Sequence, residues 1–337
     1  MNTNVRFVGL DYHQNSVQVC VMDGNGRVVR NRGCANDWRQ IDAFASQDGA
    51  GVQAAIESCS GAADLADELI ERAGWSVDIA HAGYVARIKQ NPDKTDFTDA
   101  QLLADLERVG YVPRVWLPPV FVRLLRQLVR HRQQLVNRRR AQKLRVGGLL
   151  REWRVGPAPA NRWTRSWIEW ARSAPGLPET TCWIIEELLD EIDGIVRRIA
   201  RAEEHLARIT AHDPLVRRLM EERGVGLVTA CVLRAEIGRF DRFRNGKQVS
   251  RFCGLSPRNA SSGARQADAG LIGACSRMLR ATIIEASHRL IRFDRTWRDL
   301  ASRLRSRGKP ASVTVAAVAN RWMRRLYHEM KPLGIGA

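Results

Sequence analysis

The chain has 337 residues, 45% apolar and 27% charged, with 54 Lys and Arg against 36 Asp and Glu, a net charge of +18. These figures exclude a disordered chain and allow two domains of ordinary size with buried cores. The basic excess sets aside a small-molecule enzyme as the default reading and points to a polyanion, nucleic acid before an anionic membrane. No apolar run is long enough to span a bilayer and residues 1–11 lack a signal-peptide core, which predicts a cytoplasmic protein with no membrane partner. Seven cysteines, none in a CxxC pair, predict reduced thiols rather than a zinc site or a disulfide framework.

Taken in order, Val5–Asp11 reads as a buried strand ending in an acid. Ser16–Met22 alternates as a second strand, Asp23 to Gly26 form a tight turn, and Arg27–Asn31 return as a third. Asp37 caps a short helix through Ala45. Val52–Glu57 is a fourth strand, also ending in an acid, Ala62–Ala73 a helix, Ser76–Ala80 a fifth strand, and Thr98–Arg108 a helix with Leu102, Leu103 and Leu106 facing inward. This order predicts an α/β domain with a mixed sheet and a hairpin-first topology. Pro113, Pro118 and Pro119 mark its exit, and Val120–Glu152 follow as one long basic helix. Trp163, Trp167 and Trp170 fall at the spacing of one helix face, better suited to packing than to base stacking. From Ile185 to Ile209 apolar residues recur at alternating steps of three and four. That seam predicts a coiled coil or helical hairpin and is expected to mediate self-association. Arg223-Gly224-Val225-Gly226 before Leu227–Leu233 resembles a helix-hairpin-helix turn, which offers backbone N–H groups to a phosphate. Residues 259–270 are a small polar loop, and Ser276–Ile291 and 311–330 read as helices.

The charge divides the chain. Residues 1–107 hold 9 Lys and Arg against 16 Asp and Glu, a net of −7, and residues 108–337 hold 45 against 20, a net of +25. Residues 108–165 are the densest stretch, with 15 basic side chains and one acid, Glu152. Arg138, Arg139, Arg140, Lys143 and Arg145 lie within it. So little balancing acid favours a salt-dependent grip on nucleic acid over a solvated helix face.

Four acids stand out in the acidic part. Asp11 and Glu57 end strands, and Asp96 and Asp99 sit three apart at a helix start, so both project from one face. Each alone reads as a turn or first-turn acid. Converged in one folded domain, they suit two-metal phosphodiester chemistry, in which hard oxygen ligands hold Mg²⁺ ions against the scissile phosphate.

The segments Gly9-Leu10-Asp11, Ile56-Glu57-Ser58, Lys94-Thr95-Asp96-Phe97-Thr98-Asp99-Ala100, and Gly254-Leu255-Ser256-Pro257 leading to Ser261-Ser262-Gly263 occur in one order. Together they resemble the DEDD insertion-sequence transposases with a RuvC-like N-terminal domain, the group called bridge-RNA-guided serine recombinases, to which Piv-type DNA invertases are related. The resemblance implies an α/β RNase H/RuvC-like domain over 1–112, a basic helix and coiled-coil linker over 113–215, and a mainly α transposase domain with a serine loop over 216–337. It implies that Asp11, Glu57, Asp96 and Asp99 are catalytic and bind Mg²⁺. A serine of the second domain attacks DNA and is held as a phosphoserine, in a composite site drawn from different subunits of a dimer or tetramer. A structured noncoding RNA selects target and donor DNA. The chain departs from the pattern after the serine loop: a Lys expected within 270–277 is absent, Cys275 stands near an expected Gly, and Arg277 and Arg280 are candidates to stand in.

Ser262, directly before Gly263, is the expected nucleophile, with Ser261 the runner-up. A hydroxyl needs activation. The motif holds no histidine, and His288 and His328 lie far along the chain, so metal activation is expected instead of a Ser-His-Asp triad. Arg258 and Arg265 flank the loop and suit the charge that builds on phosphate. The alternative is a Mg²⁺-dependent RuvC-like nuclease that uses water, or a site-specific DNA invertase without an RNA guide.

Overall fold

Alternating apolar residues and one side-chain-bonded turn build the first sheet. In the computed structural model, which describes residues 5–46, 49–89, 95–259 and 268–334, the chain divides into two units, Met1–Pro118 and Pro119–Ala337. The first holds β1 (Val5–Tyr12), β2 (Ser16–Met22), β3 (Val28–Ala35), α1 (Trp38–Ala45), β4 (Gly51–Glu57), α2 (Ala62–Ala73), β5 (Ser76–Ala80), α3 (Ala82–Ile88), α4 (Asp96–Arg108) and β6 (Arg114–Val115). The Asp23 carboxylate accepts from Asn25 N and Arg27 N, both at 2.9 Å, and so closes the β2–β3 turn. The third strand runs past its expected end at Asn31, because β2 offers partners as far as the Ser16–Ala35 pair.

The sheet order is β3-β2-β1-β4-β5-β6. β1–β4 and β4–β5 pair parallel and the other neighbours antiparallel. The mixed α/β sheet expected from the sequence is therefore present. Strand alternation splits its two faces. Val8, Leu10, Ala54 and Ile56 pack with Ile41 and Leu69 of α1 and α2, while Ala55 packs with Leu103 of α4 and Cys20 with Ala100 and Ala104. Leu103 and Leu106 are buried as expected, whereas Leu102 is half-buried.

Gly9 lets α4 lie directly on β1. A Cβ there would stand 1.9 Å from Ala100 O and 2.5 Å from Ala104 N, both rigid backbone atoms. Gly9→Ala is expected to lower unfolding stability by about 3 kcal/mol, the upper end of overpacking costs, and to displace the acids that α4 carries. A urea midpoint equal to that of the wild type would contradict this packing.

Glu107 on α4 is buried, and its Oε2 has no hydrogen-bond partner among the described residues. Burial and the nearby Asp78 push its carboxyl up to about 7, against the opposing pull of Arg114 at 3.8 Å. A raised carboxyl contributes stability that is complete below its ordinary value of 4.5 and lost as pH rises through about 7. Glu107→Gln should remove that loss. Its stability should exceed that of the wild type around pH 8 by at most about 3 kcal/mol, and the two should converge in acid. Parallel melting curves across this pH range would refute the assignment.

The second unit is almost wholly helical: α5 (Val120–Glu152), α6 (Arg165–Arg172), α7 (Glu179–Thr210), α8 (Pro214–Met220), α9 (Leu227–Ile237), α10 (Gly246–Phe252), a hairpin of β7 (Pro257–Asn259) and β8 (Asp268–Leu271), α11 (Arg277–Phe293), α12 (Arg295–Ser306), α13 (Ala311–Met330) and a closing turn of 3-10 helix, Lys331–Gly334. α5 and α7 form an antiparallel hairpin. Near one end Val146 and Leu150 pack with Ile185 and Leu188. Leu135 meets Ile195 and Ile199 further along, and Leu125 and Val129 share a core with Leu206. Arg132 pairs with Glu203 and Arg138 with Glu191 along the same hairpin. The heptad seam is thus filled by α5 of the same chain, which corrects the expectation that it mediates self-association: its apolar face is already buried.

The tryptophans also differ from the one-helix reading. Thr164 caps α6 by accepting from Trp167 N, so Trp163 precedes the helix, with φ +70°. Its ring still lies 4.6 Å from that of Trp167, and Trp167 lies 6.0 Å from Trp170. Among the described residues no helix is long and apolar enough to cross a membrane. All seven cysteines are unpaired thiols.

Candidate active site

Parallel pairing decides where the strand-end acids go. β1 and β4 run side by side in register up to the Leu10–Ile56 pair, so Asp11 and Glu57 emerge at the same carboxyl end of the sheet. In open α/β sheets that end is where ligands bind. α4 starts at the same place. Thr95 caps it reciprocally, accepting from Thr98 N while Thr98 Oγ1 accepts from Thr95 N, and this fixes Asp96 and Asp99 in the first turn.

The four acids are divided into two pairs by two nitrogen-bearing side chains that sequence reasoning missed. His13 Nε2 lies 3.4 Å from Asp11 Oδ2 and 3.3 Å from Asp96 Oδ2. Lys89 Nζ lies 2.8 Å from Asp99 Oδ2 and 3.4 Å from Glu57 Oε2. His13 had a faint signal: two residues after Asp11 in extended chain, it returns to the same side. Lys89 had none, because it caps the unforeseen α3.

Burial raises the Asp11 carboxyl above its ordinary value. His13 opposes the shift, Asp99 and Asp96 add to it, and Lys89 opposes it again. Burial lowers the Lys89 ammonium, but the hydrogen bond to Asp99 and the charges of Glu57 and Asp99 outweigh it and hold Lys89 above its usual range. Ligand atoms of Asp11, His13 and Asp96 lie within 4.8 Å of one another, a spacing that one divalent cation can bridge. Carboxylate oxygens suit a hard ion such as Mg²⁺, and the imidazole widens the set toward transition metals. The residues present therefore fit a metal. Beside them a cavity of about 790 Å³ is lined by Glu57, Lys89 and Asp99 and reaches Arg108.

In the second unit the turn before α9 has Gly224 at φ +80°, where a Cβ would stand 2.8 Å from Arg289 Cβ, so this turn requires glycine on both grounds. The Gly254-Leu255-Ser256-Pro257 segment forms the foot of the β7–β8 hairpin. A Cβ on Gly254 would meet Cys275 Sγ at 2.3 Å, and Ile272 N donates to Ser256 O at 3.1 Å. Arg280 spends one guanidinium nitrogen internally: Nη1 donates to Ile272 O at 2.9 Å and to Gly254 O at 3.4 Å. Arg277 opens α11. Arg258 on β7 is exposed, without a partner among the described residues. Lys94, Ser261, Ser262, Gly263 and Arg265 lie outside the described residues.

The basic helix spends part of its charge internally. Arg126 donates to Ala235 O at the end of α9, Arg130 pairs with Glu236, and Arg132 and Arg138 pair with α7. Arg139, Arg140, Lys143 and Arg145 have no carboxylate partner among the described residues.

Comparison with known proteins agrees with this layout. A DEDD transposase model of the IS110 type matches residues 8–154, and the model described as transposase, IS116/IS110/IS902 family, matches residues 216–302. The chain is 28% identical over 333 residues to a "Probable family 20 transposase" of Pseudomonas aeruginosa, covering 96% of each. It is 26% identical over 293 residues to the transposase for insertion sequence element IS1111A of Coxiella burnetii, covering 86% of this chain and 79% of the relative. With acids at the carboxyl end of a mixed sheet in the first matched region and a helical second one, the chain carries the DEDD transposase domains of the IS110/IS116 family.

Proposed function

We propose that the chain cuts and rejoins DNA as the transposase of an insertion sequence. Asp11, Glu57, Asp96 and Asp99 form its metal site, Ser262 is its nucleophile, and a noncoding guide RNA selects target and donor DNA. The observation that carries the reading is that four acids from β1, β4 and α4 stand at one sheet end, Asp11 and Asp96 bridged by His13 and Glu57 and Asp99 bridged by Lys89. When bound, Mg²⁺ polarises the scissile phosphate and lowers the pKa of the attacking oxygen. Asp11 and Asp96 would supply its oxygen ligands, His13 would orient both carboxylates, and Lys89 would keep Glu57 and Asp99 close. Arg258 and Arg265 offset charge on the phosphate at the serine loop.

The working division is residues 1–112 for the metal site, 113–215 for the basic helix and helical linker, and 216–337 for the serine-bearing transposase domain. The protein acts as a dimer or tetramer. The test incubates the full chain with Mg²⁺, target and donor DNA, and RNA transcribed from the flanks of its reading frame. The expected result is joined DNA and, after denaturation, DNA attached to protein. Cleavage without an adduct would favour the water-using nuclease. Recombination unchanged without RNA would favour an unguided invertase.

A further inference from the structure

Resting on the nucleic-acid reading of the basic helix and making it specific, we propose that the cavity between α5 and the Trp163 segment binds one unpaired nucleobase together with its flanking phosphates. The cavity has a volume of about 540 Å³, within the range of pockets that enclose a small organic ligand. Trp163, Trp167 and Trp170 line one side. Arg139, Arg140, Lys143, Arg151 and Arg162 surround them, and no Asp or Glu lines the cavity. None of these five cations has a carboxylate partner among the described residues, whereas their neighbour Arg138 is paired with Glu191.

Arg140, Arg151 and Arg162 are exposed to solvent, so the demand for an anion falls on the half-buried Arg139 and Lys143. Lys143 shows it most directly: half-buried, its ammonium rests 4.4 Å from the centre of the Trp163 ring. Burial and Arg139 both lower its pKa. A bound nucleotide relieves both features. Its base takes the ring face that Lys143 covers, and Lys143 turns to a phosphate. Cations alone would suit any polyanion. The combination with a concave aromatic wall selects a base that can leave its stack, hence a single strand, loop or flipped nucleotide, from either RNA or DNA. The cavity lies in the second unit and uses none of the four acids.

The test measures binding of the full chain to dT and rU homopolymers, to the same strands made abasic, and to duplex DNA, over a range of salt. Trp163→Leu, which keeps an apolar side chain in this core, should weaken binding to base-bearing strands about 5- to 100-fold, the size of one lost base–aromatic stack. Trp163→Phe should restore most of it, and abasic strands should bind wild type and Trp163→Leu equally. Arg139→Gln with Arg162→Gln should reduce the log–log salt slope by about 1.4 on single strands. This double variant decides the question if Trp163→Leu lowers the melting temperature. A dT or rU preference identifies the strand that uses the site. Equal losses on base-bearing and abasic strands, no loss on either, or an unchanged slope in the double variant would overturn the pocket while leaving the wider reading standing. A wild-type chain that binds neither single strands nor duplex would overturn both.

Discussion

Asp11→Asn should eliminate metal-dependent strand cleavage while leaving salt-dependent affinity for nucleic acid close to that of the wild type. Asp11 shares His13 with Asp96, and its carboxyl is raised by burial and by Asp99 and Asp96. Losing its charge removes a ligand from a donor set that spans only 4.8 Å. In the wild type, Mg²⁺ or Mn²⁺ at a hundredfold excess over its Kd should stabilise the fold by about 2.7 kcal/mol, and this should vanish in the variant. The metal-free sign is opposite. A carboxyl raised in the folded state contributes stability at low pH that is lost as pH rises through its folded value, so Asn at position 11 should raise the metal-free melting temperature near neutral pH. The unaffected binding is expected from charge: the basic excess proposed to grip nucleic acid lies in residues 108–337, with a net of +25. A metal-induced melting shift that survives in Asp11→Asn would remove this acid from the site, whatever happens to cleavage.

Ser262→Ala should abolish recombination and every covalent protein–DNA adduct, and Ser261→Ala should be milder. Ser262 directly precedes Gly263, and glycine permits close backbone approach to a phosphate. The hydroxyl has no histidine in its motif, so the proposal gives its activation to a metal, and a thiolate in Ser262→Cys should retain at most trace turnover. The surrounding structure supports a defined platform. β7 and β8 pair through Pro257–Leu271 and Asn259–Asp268, and Arg280 and Asn320 hold the carbonyls at the hairpin's foot. Arg258 remains available on β7. Wild-type and variant proteins are mixed with labelled DNA and guide RNA, denatured, and separated. An adduct that persists in Ser262→Ala and disappears in Ser261→Ala would move the nucleophile by one residue.

Much of this molecule is legible in its residues. Strand alternation and turn chemistry locate the first strands, and the apolar periodicity of Ala62–Ala73, Val120–Glu152 and 311–330 matches the observed helices end to end. Capping acids, strand-end acids and the reversal of charge near residue 108 are equally local, which is why Asp11, Glu57, Asp96 and Asp99 can be singled out from sequence. The seven-residue elements α3 and α8 escape notice because they are too short to show a periodicity of their own.

Tertiary structure decided how these parts are used. A heptad seam has the same pattern whether a second copy or another segment of its own chain fills it; here α5 fills it, since an apolar stripe pairs with whichever complementary face the fold presents. A run of arginines reads as uniform charge, yet Arg130, Arg132 and Arg138 are neutralised by glutamates more than 50 residues away, leaving Arg139, Arg140 and Lys143 unpaired beside Trp163. The site itself depends on contacts of the same kind. Which side chain separates which pair of acids is set by distance in space, and distance is fixed only when parallel strands align their ends and Gly9 lets α4 settle on β1. Sequence determined the residue types that bring metal and phosphate chemistry within reach; packing determined their partners, because electrostatic pairing falls off with separation through space and is indifferent to separation along the chain.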